Sequence, residues 1–163
     1  MTSQLPKRLA ETGGQARILP PLGLDPGLPD LVRRAALDGI ATAGLVAGDT
    51  TVLFTAHGSP RDPRPAAAAH RQASALQGAV REIRFGFVDE APSIADACRV
   101  DGPKITLPLF AATNGHVRID VTEALDETGF DGPRLPPIGE HDDVPSLIAN
   151  AIAAADPANG LDS

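Results

Sequence analysis

Two histidines and one glutamate lie where predicted strands end. His57 directly follows the apolar run of the stretch "VLFTAHGSPRDP" (residues 52–63). Glu90 follows a second predicted strand in "FVDEAPSI", and His116 follows a third after a short loop in "LFAATNGHVRID". Ligands of open parallel sheets bind beyond the carboxyl ends of the strands. The three side chains could therefore converge on one cleft, provided that the first and third strands are neighbours.

Imidazole and carboxylate together suit a divalent first-row metal ion. They also suit proton removal from a ligand that is about to be metallated. A simpler interpretation stays open, in which each histidine is a solvated or hydrogen-bonded loop residue and Glu90 only complements a helix dipole. The two other histidines, His70 in an alanine-rich helix and His141 in the turn "GEHDD", are predicted to lie on the surface.

Strand-like and helix-like segments alternate along the chain, which has 163 residues. Strands are predicted at 50–56, 82–88, 104–110 and 133–139, and helices at 63–80, 91–100, 117–128 and 143–155. This alternation predicts an α/β fold, with a parallel sheet that carries helices on both faces. The length fits one compact domain.

Composition excludes several classes of partner. The formal net charge of −7 argues against nucleic acid, which requires a dense basic surface. A single cysteine, Cys98, allows no disulfide within the chain. No apolar run approaches the length of a membrane span, and the first residues lack the apolar core of a signal peptide. We therefore expect a cytoplasmic protein with neither a nucleic-acid nor a membrane partner.

An internal repeat relates the two ends of the chain. Residues 9–23 match residues 125–139 without gaps at an offset of 116, and the match continues through "LPDLVRRA" against "VPSLIANA". Two segments that share only turn residues would not preserve every spacing. The repeat predicts that residues 1–45 are the tail of one unit (helix, short strand, helix), that residues 46–156 are a complete second unit, and that residues 157–163 are a frayed end.

The last helix of the 1–45 segment is predicted at residues 29–46. Its apolar residues share one helical face and must be buried, either on the chain's own sheet or on a partner's. They are Leu31, Val32, Ala35, Ala36 and Ile40.

The motifs "TAHGSPRDPRP", "FVDEAPSI", "LPLFAATNGHVRIDVTEAL" and "LPPIGEHDDVPSLI" together resemble the CbiX-type sirohydrochlorin cobaltochelatases over roughly residues 50–155. This resemblance implies a class II chelatase, which inserts a divalent metal into a dianionic tetrapyrrole without ATP. It also implies a chelatase-like (flavodoxin-like) fold of two related parallel α/β half-domains, either fused or dimerised. The chain resembles a fused form that lacks most of its first half.

The resemblance also implies roles for individual residues. The metal-binding and proton-accepting residues would be His57, His116 and Glu90. The tetrapyrrole site would be lined by Ser59, Asn114, Arg118 and Arg61. The guanidinium groups of the two arginines suit substrate carboxylates. The sequence departs from the family motif at Pro60, which separates Ser59 from Arg61.

The reaction implied by the resemblance is insertion of Co²⁺ into sirohydrochlorin in cobalamin biosynthesis, with no cofactor beyond the metal substrate. Insertion of Fe²⁺ to give siroheme is an alternative, as is use of Ni²⁺, because the same ligands bind all three ions. A non-catalytic metal- or tetrapyrrole-binding protein, or a remnant half-protein, is a further alternative. Because the cleft needs two walls, we predict a homodimer in which two 46–156 units face each other across a two-fold axis.

Overall fold

The computed structural model describes residues 18–113, 115 and 117–155, without the side chains of residues 117 and 118. The first seventeen residues of the predicted 1–45 segment and the predicted frayed end at 157–163 lie outside these residues. Within the described part of the chain, no helix is long and apolar enough to cross a membrane.

Three parallel strands form the sheet: β1 (Thr51–Ala56), β2 (Glu82–Phe87) and β3 (Lys104–Pro108). Their order is β2–β1–β3, with β1 in the centre. All six residues of β1 are buried, which explains why this strand is almost continuously apolar. The first and third predicted strands are therefore neighbours, as the convergence of the candidate site residues requires.

Five α-helices accompany these strands in the described part of the chain. They are α1 (Leu28–Thr42), α2 (Arg64–Ala73), α3 (Ile94–Ala97), α4 (Thr122–Glu127) and α5 (Val144–Ala155). A π-helical turn, Val117–Val121, leads into α4. Short 3₁₀ helices are formed by Leu22–Leu24, Ala47–Asp49, Ser74–Leu76 and Ile138–Glu140.

Side chains of β1 point alternately to the two faces of the sheet and build two cores. Val52 and Phe54 pack with the α1 residue Leu31 in one core. Leu53 packs with Ile94 of α3 and with α4 in the other. Helices thus cover both faces, and the predicted α/β fold with a parallel sheet is confirmed.

The apolar face predicted for residues 29–46 is buried on this sheet. Leu31, Val32 and Ala36 of α1 are 0% exposed. The helix packs against α2 and β3, so elements of the same chain, and not a partner's sheet, bury this apolar face.

The predicted fourth strand at 133–139 is reduced to one bridge between Thr106 and Arg134. Pro136 and Pro137 lack the N–H groups that a longer ladder would need. The short strand expected in the 1–45 segment likewise does not form within residues 18–45, where Leu22–Leu24 is a 3₁₀ helix instead. The predicted helix at 91–100 is also shorter, because it starts only after Ser93, whose Oγ accepts the N–H of Asp96 at 3.1 Å.

Candidate active site

Backbone hydrogen bonds continue beyond the strands and bring their following loops together. The N–H of Asp89 donates to the carbonyl of His57 at 2.9 Å, and the N–H of Val88 donates to that of Ala56 at 3.1 Å. On the other side of β1, the N–H of Leu109 donates to the carbonyl of Thr55 at 2.7 Å. The loops after β2 and β3 therefore begin beside His57 at the carboxyl edge of the sheet.

The His57 side chain is half exposed and faces a carboxylate. Its Nδ1 lies 3.2 Å from Oδ2 of Asp89 and 3.3 Å from the carbonyl oxygen of Gly58. Two acceptors beside Nδ1 favour the tautomer that carries its proton there, which places the lone pair on Nε2. The geometry therefore suits His57 to accept a proton or to bind a metal ion through Nε2.

Asp89 is a site residue that the sequence analysis missed. It precedes Glu90 in the motif "FVDEAPSI" and follows the strand that pairs with β1. Parallel pairing of β1 with β2, continued beyond the strands, brings His57, one residue past β1, beside Asp89, two residues past β2. That strand order was the signal that could have found Asp89.

Glu90, on the loop after β2, packs against Gly58, the residue that follows His57. Its Oε1 is buried and has no hydrogen-bond partner among the residues that the structure describes. A Cβ atom built on Gly58 would be 2.8 Å from both Cγ and Oε1 of Glu90. An unpaired buried carboxylate oxygen is energetically costly, and a metal ion or a protonated ligand would satisfy it.

Gly58 should be essential to this arrangement, for two reasons. Its φ of 70° is a conformation that side chains rarely adopt, and a Cβ would collide with Glu90. We expect Gly58→Ala to destabilise the fold by about 1–2 kcal/mol through backbone strain. Displacement of the carboxylate should also slow the metal insertion that the sequence resemblance implies, by about 10²-fold. Thermal unfolding and an insertion assay measure the two effects.

Gly44 offers a matched control for the strain. Its φ is 68°, but no atom lies within 4 Å of the position that its Cβ would take. Gly44→Ala should therefore show a similar loss of stability with unchanged insertion. Equal insertion rates in the two variants would contradict the proposed contact between Gly58 and Glu90.

Ser59 and Arg61 follow on the same loop. Ser59 is half-buried and its Oγ accepts the N–H of Arg61 at 3.4 Å, whereas the Arg61 side chain is exposed. The neighbouring Asp62 forms an ion pair with Arg64 at 2.7 Å, and the hydrogen bonds from Arg64 lower the pKa of Asp62. Asp62 is thus engaged by Arg64, and Arg61 extends towards solvent near the site.

His116 and Asn114 lie outside the described residues, as does the side chain of Arg118, so their approach to His57 stays a prediction. The loop that leads to them is nevertheless held by hydrogen bonds to a residue far away in the sequence. Thr113 donates both its N–H and its Oγ–H to the carboxylate of Glu140, the latter at 3.1 Å. Sequence reasoning missed this contact, which joins residues distant along the chain.

Gly139 holds the same loop through its backbone. Its N–H donates to the carbonyl of Phe110 at 3.0 Å, and a Cβ at Gly139 would overlap the carbonyl of Ala111. The close approach therefore requires glycine at this position. Within the described residues, no group of three or more His, Cys, Asp or Glu side chains could hold a metal ion.

A parallel α/β sheet that gathers an imidazole and an unpaired carboxylate at its carboxyl edge has the architecture of a chelatase-like protein. The CbiX family model matches residues 51–155, and the chain belongs to this family of metal chelatases. The resemblance found in the sequence motifs is thereby confirmed.

Solved structures agree with this assignment. A CbiX structure, described as the terminal enzyme for biosynthesis of siroheme in denitrifying bacteria, is 44% identical with a TM-score of 0.88. The match covers 94% of this chain and 69% of that protein. No curated protein sequence matches the chain.

Two more distant structures share the fold. SirB from Bacillus subtilis with Fe³⁺ is 18% identical with a TM-score of 0.73, over 98% of this chain and 68% of SirB. DR2241 from Deinococcus radiodurans, described as a multi-domain protein with structural similarity to chelatases, is 23% identical with a TM-score of 0.70. That match covers 88% of this chain and 33% of DR2241.

Proposed function

We propose that the chain inserts a divalent metal ion, Co²⁺, into sirohydrochlorin at the carboxyl edge of the sheet. The observation that carries this proposal is the buried Oε1 of Glu90, which lies against Gly58, the residue after His57, and has no hydrogen-bond partner among the described residues. Membership of the CbiX family supports the reaction class. The proposed reaction needs neither ATP nor a cofactor beyond its metal substrate, and we expect it to take place in the cytoplasm.

Metal insertion is a proton-exchange reaction. Two pyrrole N–H bonds break, the two protons leave, and four nitrogen atoms of the macrocycle bind the divalent ion. The site must therefore accept two protons while it presents the metal. His57 would take one proton through Nε2, and the Asp89 carboxylate beside Nδ1 would stabilise the resulting imidazolium. The second proton would pass to His116.

Glu90 would hold the metal ion before transfer. Nε2 of His57 and an imidazole nitrogen of His116 would complete the ligand set, and each would become free to accept a pyrrole proton once the ion has moved into the macrocycle. The macrocycle's carboxylates would be bound by Arg61 and Arg118, with Ser59 and Asn114 lining the same site. These assignments follow from the resemblance to the family motif and from the location of Ser59 and Arg61 on the loop after β1.

Iron is the second candidate substrate, because the relative that is 44% identical is described as an enzyme of siroheme biosynthesis. The deciding experiment is an anaerobic insertion assay with Co²⁺, Fe²⁺ and Ni²⁺ in parallel, followed by the absorbance of sirohydrochlorin. We expect the largest acceleration over the uncatalysed reaction with Co²⁺. A larger acceleration with Fe²⁺ would make the chain a ferrochelatase, and no acceleration with any ion would favour a binding protein.

A chelatase cleft needs a second wall. We propose that the 163-residue chain provides this wall by forming a homodimer. Two 46–156 units would face each other across a two-fold axis and bring both copies of His57 to one cleft. Sedimentation during turnover at low protein concentration tests this arrangement. An active species that remains monomeric would contradict it.

A further inference from the structure

The loop after β3 leads to two of the proposed site residues, Asn114 and His116. We call residues 109–116 the β3 loop. Its described part up to Thr113 forms neither a helix nor a strand, and residues 111–113 are exposed. A loop of this kind brings a side chain to a defined position only when a rigid element supports it.

The 3₁₀ turn Ile138–Glu140 is such a rigid element. Ile138 is 6% exposed and belongs to the core that α1 covers. The chain just before the turn is attached to the sheet, because the N–H of Leu135 donates to the carbonyl of Thr106 in β3 at 2.9 Å. The turn is therefore held by the core and by the same strand from which the β3 loop departs.

Two contacts attach the β3 loop to this turn. The N–H of Gly139 donates to the carbonyl of Phe110 at 3.0 Å. Further along the loop, Glu140 accepts the N–H of Thr113 with one carboxylate oxygen and its Oγ–H with the other. Hydrogen bonds to an ionised acceptor are stronger than those between neutral groups. Glu140 thus fixes the residue that directly precedes Asn114.

We propose that Glu140 is a positioning residue for metal insertion, acting through the β3 loop to set the location of His116. The inference rests on the proposed function, in which His116 binds the metal ion and accepts a proton. The role requires no contact between Glu140 and the metal ion or the tetrapyrrole. A misplacement of about 1 Å at a reacting group can slow a reaction about 10²-fold, so a loosened loop is costly for activity.

The same contact should matter little for global stability. Thr113 and Glu140 are both exposed, and water can replace their hydrogen bonds when these are broken. Loss of the contact should therefore release the β3 loop locally while the remainder of the fold stays intact. This separation of local order from stability distinguishes a positioning role from a structural one.

Three variants separate hydrogen bonding from charge. Glu140→Ala removes the negative charge and both acceptor oxygens. Glu140→Gln removes the charge but keeps one acceptor for the Thr113 N–H and places an amide donor beside the Thr113 Oγ. Asp142→Ala is the matched control, because it removes the charge of an exposed carboxylate two residues further along the chain. Amide hydrogen exchange at Thr113, the melting temperature and the Co²⁺ affinity by calorimetry are measured for each.

In Glu140→Ala we expect the Thr113 amide to exchange at least about tenfold faster and the Co²⁺ affinity to fall about tenfold. The melting temperature should stay nearly unchanged. Glu140→Gln and Asp142→Ala should both remain close to the wild type in exchange and in affinity. A wild-type Co²⁺ affinity in Glu140→Ala would overturn the proposal. An equal loss of affinity in Asp142→Ala would also overturn it, because the effect would then be one of charge alone.

A double-variant cycle tests whether Glu140 acts through His116. Adding Glu140→Ala to His116→Ala should lower the Co²⁺ affinity no further, because the β3 loop then has no imidazole to position. An equal loss with and without His116 would contradict the proposal. Faster exchange at Thr113 with unchanged affinity would overturn this inference alone. A wild-type protein that bound no Co²⁺ would instead overturn the proposed function, and this inference with it.

Discussion

Replacing His57 with alanine should lower the rate of metal insertion by about 10²–10⁴-fold, which is the usual contribution of a positioned proton acceptor. His57 lies just past the end of β1 with its side chain half exposed, so the fold should remain intact. His116→Ala should have an effect of similar size. The measurement is the insertion rate at saturating metal, combined with a thermal melt to verify folding.

His70→Ala is the matched control for this experiment. His70 is exposed on α2, an element that carries no proposed site residue, and its ring contacts the Phe85 ring at a 49° tilt with 4.0 Å between ring centroids. Insertion by this variant should match the wild type. If the double variant of His57 and His116 inserted metal at the wild-type rate, the site assignment would be wrong.

Glu90→Gln should separate activity from stability. The substitution keeps the shape of the side chain but removes the charge from a buried oxygen that lacks a partner among the described residues. We expect Co²⁺ affinity, measured by calorimetry, to fall by about 10–100-fold. The free energy of unfolding should stay unchanged or rise by about 1 kcal/mol, because the cost of the unpaired charge is relieved.

Glu123→Gln provides the comparison, because Glu123 is an exposed carboxylate on α4. It should change neither the affinity for Co²⁺ nor the stability measurably. A Glu90→Gln variant that bound Co²⁺ as tightly as the wild type would exclude Glu90 as a metal ligand. A clear loss of stability would instead indicate that the carboxylate has a structural partner.

The parallel sheet and the position of His57 were predictable because both depend on local pattern. A mostly apolar run is typical of a central parallel strand, and β1, with all six residues buried, is such a strand. The predicted fourth strand was wrong in extent because the prolines at 136 and 137 remove donors that a ladder requires. A hydrophobicity pattern does not show that proline lacks the backbone N–H group that a strand ladder needs.

The contacts that shape the site were less predictable because they join residues that are far apart in sequence. The packing of Glu90 on Gly58 and the hydrogen bonds from Thr113 to Glu140 depend on how the loops meet in three dimensions. Asp89 was overlooked because its role arises from the pairing of β1 with β2. The repeat was visible in sequence, but the exposure of Ile148 and Ile152 on α5 was not, because a sequence pattern does not show which apolar residues a neighbouring element covers.

The most direct test of the account is X-ray absorption spectroscopy of Co²⁺ bound to the purified protein, with and without His57. The account predicts imidazole and carboxylate ligands on the ion in the wild type, and the loss of one imidazole in His57→Ala. A cobalt coordination shell without imidazole, or one that is unchanged in the variant, would contradict it.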